Sequence, residues 1–130
     1  MPRVSVLMPV YNTKPEHLRE AIESILAQTF RDFEFLIFND GSTDPQVEAV
    51  VKSYADPRIV YASSRRNLGI SGARNRLLDM ARGEYLAVMD HDDVSLPERF
   101  ARQVAFLDEH PEVGVLHCQY EDMASGRRSH

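Results

Sequence analysis

The 130-residue chain has no tryptophan, a single cysteine and no apolar run of membrane-spanning length, and each shortage narrows what it can be. One cysteine, Cys118, cannot close an internal disulfide, so a disulfide-stapled scaffold is excluded. A reducing, cytoplasmic setting is expected, with the thiol buried as a structural group in a strand. Nothing approaches the roughly 18 consecutive apolar residues that would cross a bilayer. The opening residues 1–10 are interrupted by Ser5 and Pro9 and carry no small-residue cleavage site, so they read as a strand rather than a leader. Basic residues are in deficit, with 15 Lys and Arg against 20 Asp and Glu and a net charge of −5. The basic pairs Arg65-Arg66 and Arg127-Arg128 stand apart, so no broad nucleic-acid footprint is expected. P-loop and dinucleotide-binding sites are excluded as well, because Pro9-Val10-Tyr11-Asn12 follows the first strand where a Gly-rich loop would be required.

What is present is an alternation of short β-branched or aromatic runs with helical periods, the pattern of βαβ units. It predicts an α/β fold with a mostly parallel sheet of about five strands and helices on both faces. Strands are expected at 4–10, 33–38, 59–62, 85–89 and 113–117. Of these, 33–38 is so continuously apolar that both of its faces should be buried. Between them, Leu18, Ala21, Ile22 and Ile25 stripe one helix, and Val47, Val50 and Val51 a second. Ala73 and Leu77 mark a third helix over about 71–82, and Phe100, Val104 and Leu107 a fourth over 97–109. Thr13 and Glu16 around Pro15 predict a capping box for the first helix, Asp44 a cap for the second, and Gly83 a C-terminal cap for the third. One domain over 1–120 is expected, with 121–130 a polar tail or truncation point.

In an open parallel sheet, ligands gather beyond the carboxyl ends of the strands, near the point where strand order reverses. Three loops there carry more than turn chemistry: the one at Pro9, Val10 and Tyr11, the one at Asn39-Asp40-Gly41-Ser42, and Asp90-His91-Asp92-Asp93. The last places three carboxylates within four residues. Two unit charges about 4 Å apart repel by roughly 1 to 4 kcal/mol at surface-like dielectric, so such a cluster calls for a cation. Oxygen donors suit Mg²⁺ or Mn²⁺ held with substrate phosphates. Asp93 and Ser95, near Pro97, read as helix caps, whereas Asp90 and Asp92 lie too far ahead of it. Asp40 can accept a base or ribose hydrogen bond, and the Tyr11 ring can either join the core or pack on a base. The segment from Arg65 through Asn67 to Arg74 runs into a helix N-terminus, where free amides favour an anion.

In order and spacing these segments resemble the family 2 glycosyltransferases of the GT-A fold, a Rossmann-like three-layer architecture. The residues that carry the likeness are Val4 to Asn12, Ser24 to Phe30, Phe33 to Asp44, Asn67-Leu68-Gly69, Ala73-Arg74-Asn75, Gly83-Glu84-Tyr85 and Asp90-His91-Asp92-Asp93. The resemblance implies that Pro9, Val10, Tyr11, Asp40, Ser42, Asn67, Arg74, Asp90 and His91 line a site for a nucleoside-diphosphate sugar, with a UDP-sugar favoured. Asp90 and Asp92 take the places of the family's Asp-x-Asp motif, Asp92 reaching Mn²⁺ or Mg²⁺ on the diphosphate. It further implies inverting transfer to an acceptor hydroxyl on a saccharide or lipid-linked molecule, in the cytoplasm or at the inner face of the membrane.

The family's general base follows the segment equivalent to the fifth strand, so no catalytic residue is assigned. Glu121 and Asp122 read as solvated acids. The expectation is a donor-binding half whose apolar surface would favour self-association. Two alternatives stand beside this reading: a nucleotide-binding module without turnover, and a haloacid-dehalogenase-type phosphatase with Asp90 as nucleophile and Asp92 as acid/base.

Overall fold

The computed structural model describes residues 2–90, 94–110 and the backbone of 115–117. Its elements run β1 (Val4–Val10), α1 (Pro15–Leu26), β2 (Phe33–Asp40), α2 (Pro45–Lys52), β3 (Ile59–Ser64), α3 (Gly69–Met80), β4 (Tyr85–Val88), α4 (Arg99–Glu109) and β5 (Val115–His117). All strand pairs are parallel, in the order β3-β2-β1-β4-β5. The chain builds outward from β1 to β2 and β3, then returns to lay β4 and β5 on the other side. Order therefore reverses between β1 and β4, the place where such sheets take ligands.

Period-two alternation assigns the faces. Val4, Val6, Met8 and Val10 of β1, with Phe33, Phe35 and Ile37 of β2, pack against α1, α2 and Phe100 and Val104 of α4. Leu7, Leu36 and Phe38 point the other way, onto Ala73 and Leu77 of α3. Every residue of β1 and β2 is buried, which explains why their hydrophobic runs are nearly unbroken. Two buried polar residues share the α3 face. Ser5 and Glu34 are register partners, and the Ser5 hydroxyl donates to the Glu34 carboxylate, which also accepts from the Arg82 amide. Among the described residues, no helix is long and apolar enough to cross a membrane.

The structure corrects several local expectations. α1 starts at Pro15 with Lys14 as its N-cap and no side-chain cap, so the Thr13/Glu16 capping box does not form; Thr13 is buried instead. Asp44 does cap α2, accepting from the Gln46 amide at 2.9 Å. α3 begins at Gly69, two residues early, and ends on Ala81 rather than Gly83. Gly83 serves close approach: its amide donates to the Ser5 hydroxyl, and a Cβ there would stand 2.6 Å from Ser5 N. Ser95 does not cap α4, whose N-cap is Glu98; it is buried and accepts from Arg99. β2 continues through Asn39 and Asp40, so the turn starts at Gly41. Asp93, Cys118, Glu121 and Asp122 lie outside the described residues.

Candidate functional site

Three neighbouring strand ends, those of β2, β1 and β4, open on one edge of the sheet. β1 leaves it at Val10, fully buried, and the next residue, Tyr11, turns its ring outward at 46% exposure. Asn12 then adopts a positive φ of 49°. Asn and Asp are the non-glycine residues that enter this left-handed region most readily, because their short polar side chains bond locally. Asn12 bonds to the loop after β2: its amide donates to the Ser42 hydroxyl at 2.9 Å, and its Oδ1 accepts from the Thr43 and Asp44 amides at 2.9 and 3.1 Å.

At the end of β2, Asp40 is only 4% exposed. Its Oδ1 accepts the Leu68 amide at 2.7 Å, and its carbonyl accepts from Asn67 Nδ2 at 3.1 Å. Asn67 Oδ1 in turn accepts the Gly69 amide. These bonds pin the start of α3 against the tip of β2. Gly41, at φ +75°, makes the approach feasible, since a side chain there would meet the Arg66 and Asn67 backbone. The result is a cleft of about 190 Å³ lined by Pro9, Val10, Tyr11, Asp40, Asn67, Gly69, Ile70 and Ala73. The first turn of α3 forms one wall. That helix has no acidic residue in its first turn; its Leu68 and Gly69 amides already serve the Asp40 carboxylate and Asn67, and its dipole favours negative charge at this end.

Of the residues singled out from sequence, Pro9, Val10, Tyr11, Asp40 and Asn67 thus meet in one cleft. Ser42 does not join them. It lies in a separate groove with Asn39, Asp44, Glu48 and Lys52, and its hydroxyl is the acceptor for Asn12. Beside that groove, burial pushes the Tyr61 hydroxyl above its usual range, while the hydrogen bond from Tyr61, helped by Lys52, holds the Glu48 carboxyl below its own. Arg74 is exposed on α3, one residue past Ala73, outside the cleft lining. Asp90 is exposed just beyond β4. Val88 pairs with Leu7 and the Met89 amide donates to the Leu7 carbonyl, so continuing the register puts Asp90 level with Pro9. His91 and Asp92 lie outside the described residues. Among the described residues, no three His, Cys, Asp or Glu side chains gather as a metal set.

Sequence reasoning missed two participants, and one buried cation outside the site. Ile70, 56% exposed, lines the cleft although an isoleucine at a helix start reads as ordinary core. Asn12 was legible only as part of a motif. Arg99, in a Pro-Glu-Arg-Phe stretch that suggests a solvated helix start, is 2% exposed. It donates to the Ser95 hydroxyl at 2.7 Å, and among the described residues its Nε and second Nη have no partner. No sequence signal separates such an arginine from an exposed one.

Comparison with known proteins bears on the family and the fold. The profile of the glycosyl transferase family 2 matches residues 5–130. An uncharacterised glycosyltransferase of Methanocaldococcus jannaschii is 38% identical over 88% of this chain and 40% of its own length. The amylovoran biosynthesis glycosyltransferase AmsE of Erwinia amylovora is 37% identical over 84% of this chain and 42% of its own. The crystal structure of residues 1–349 of TarS from S. aureus in complex with UDP-GlcNAc superposes with a TM-score of 0.76 at 30% identity, covering 84% of this chain and 32% of that one. The phosphatase alternative for Asp90 falls with these matches.

Proposed function

The chain belongs to glycosyltransferase family 2, and from that premise we propose that it forms the donor site of a transferase that takes a nucleoside-diphosphate sugar, a UDP-sugar in the first place. The observation that carries the proposal is that five residues chosen from sequence for this task share one cleft between the carboxyl ends of β1 and β2 and the start of α3. TarS, similar over most of this chain, has been crystallised with UDP-GlcNAc, which supports a uridine donor.

In this reading the base packs on the exposed Tyr11 ring, and the Asp40 carboxylate, one oxygen already committed to the Leu68 amide, accepts from base or ribose. The diphosphate lies toward the α3 N-terminus, with Arg74 on the same helix adding positive charge. An exposed carboxylate at Asp90 and the oxygen-rich donors of the acidic segment fit a hard divalent cation, so Asp90 and Asp92 would hold Mn²⁺ or Mg²⁺. When bound, such an ion supplies Lewis acidity toward the leaving diphosphate. His91, between them in sequence, would serve the nucleotide-sugar rather than the ion.

The chain spans between 14% and 42% of the length of the curated relatives it matches, so transfer itself, inverting and onto a saccharide or lipid-linked hydroxyl, is proposed for the whole protein. The one cysteine suits a reducing setting and supports a cytoplasmic site, at or near the inner face of the membrane.

Titration calorimetry with UDP and Mn²⁺ tests the donor site. Asp40→Asn keeps an acceptor for the Leu68 amide while removing the charge, and should weaken UDP about tenfold, the loss of one charge-assisted hydrogen bond. Tyr11→Ala should cost a similar factor. Absence of UDP binding by the unaltered chain would refute the reading, and a donor-hydrolysis assay beside it separates a binding module from a transferase.

A further inference from the structure

We propose that Asn12 is a positioning residue that holds Tyr11 in the donor cleft by clasping the tip of β1 to the loop after β2, an inference that rests on the donor-site reading above. Tyr11 itself has little to hold its ring, which is nearly half exposed at the end of a buried strand. Its main chain is a different matter. On one side stands Val10, fully buried and paired with Asn39. On the other stands Asn12, whose amide and carboxamide reach Ser42, Thr43 and Asp44, some thirty residues away.

The clasp continues beyond those contacts. The Ser42 amide donates to Asn39 Oδ1 at 3.1 Å, and Asn39 Nδ2 donates to the Tyr61 hydroxyl, which donates to Glu48. Asp44, whose amide Asn12 accepts, caps α2. One asparagine therefore ties the loop bearing Tyr11 to a turn anchored on β2, β3 and α2. The conformation Asn12 adopts carries a strain that the bonds offset, and backbone strain of this kind persists where surrounding contacts over-determine it. A side chain that only filled a turn would not need to accept from two successive amides of another loop. Fixing Tyr11 before ligand arrives lowers the ordering cost of binding, so the clasp should appear as affinity.

A double-mutant cycle in the full chain tests this. Asn12→Gly keeps the positive φ without strain and deletes the carboxamide bonds, whereas Asn12→Asp keeps an acceptor oxygen. Expected is a fall in UDP affinity of about tenfold for Asn12→Gly, a near-normal value for Asn12→Asp, and no further loss when Asn12→Gly is added to Tyr11→Ala, the non-additivity of residues acting as a unit. Ser42→Ala, which removes only the acceptor of the Asn12 amide, should give a smaller loss that also vanishes in the Tyr11→Ala background, and it serves if Asn12→Gly does not fold. The ring resonances of Tyr11 in the ligand-free protein supply an independent readout. They should move toward those of a mobile tyrosine in Asn12→Gly, or in Ser42→Ala should it be used, but not in Asn12→Asp. Fully additive losses, or a Tyr11 ring unchanged by loss of the clasp, would overturn the proposal. A failure of the unaltered chain to bind UDP would instead strike the donor-site reading, leaving the ring resonances to decide the clasp.

Discussion

Replacing Gly41 by alanine should damage both the fold and the cleft, by an amount that can be divided into two parts. Gly41 sits at φ +75°, where an L side chain costs about 1–2 kcal/mol. A Cβ would also stand 2.5 Å from the Arg66 carbonyl carbon and from Asn67 N, and 2.9 Å from Arg66 O. These are backbone atoms with no rotamer to yield, so overpacking adds about 1–3 kcal/mol. The sum of about 2–5 kcal/mol is a large share of a domain's usual 5–15 or so. At roughly 4 °C per kcal/mol it lowers Tm by about 8–20 °C. Gly69→Ala is the matched control. It has φ +85° but nothing within 4 Å of its Cβ, so only the conformational cost of about 1–2 kcal/mol applies. Urea titration of both variants, with slopes compared to confirm that the denatured states match, gives the difference directly. Relief of the overlap pushes residues 66–68 off Asp40, so Gly41→Ala should also weaken UDP more than Gly69→Ala does. A Gly41→Ala cost no larger than that of Gly69→Ala would refute the reasoning, because the close approach would then carry no energy.

Two further outcomes are expected. The Arg58 guanidinium, bonding Asp56 at 2.8 Å, holds its carboxyl below the ordinary value of 3.8. A depressed folded-state pKa means stability that is complete above the unfolded value and lost as pH falls through the folded one, so Tm followed from pH 6 to 3 should drop below about pH 4 and Asp56→Asn should flatten that drop. Chelation by EDTA should weaken UDP binding, and Asp92→Asn should abolish the dependence on Mn²⁺ with Tm little changed, since the substitution relieves repulsion within the acidic segment. Binding that stays metal-dependent in Asp92→Asn would remove that residue from the cation site.

The strands and helices were legible because burial writes a period into the chain. The apolar run at Phe33 to Phe38, broken only by Glu34, announced a strand covered on both faces, and the stripe Leu18, Ala21, Ile22, Ile25 announced the helix that covers one of them. Misreadings came where a residue's partner is remote. Ser95 looked like a cap, and its amide instead donates to the Ser24 hydroxyl of α1, while Gly83 looked like a helix stop and makes room for β1. In both cases the local rule was sound and a contact from a distant segment overrode it.

Sequence alone determined that strands end close to Tyr11, Asp40 and Asp90, because turn and strand signals depend on near neighbours. It could not determine that β1 lies between β2 and β4, which is what sets the first two ends around one cleft and carries Asp90 to the same edge. Nor could it separate Ser42, which serves Asn12, from Asp40 two residues earlier, which lines the cleft. Those assignments depend on hydrogen bonds closed across roughly thirty residues, and such bonds exist only once the hydrophobic faces of the sheet have fixed the strand order.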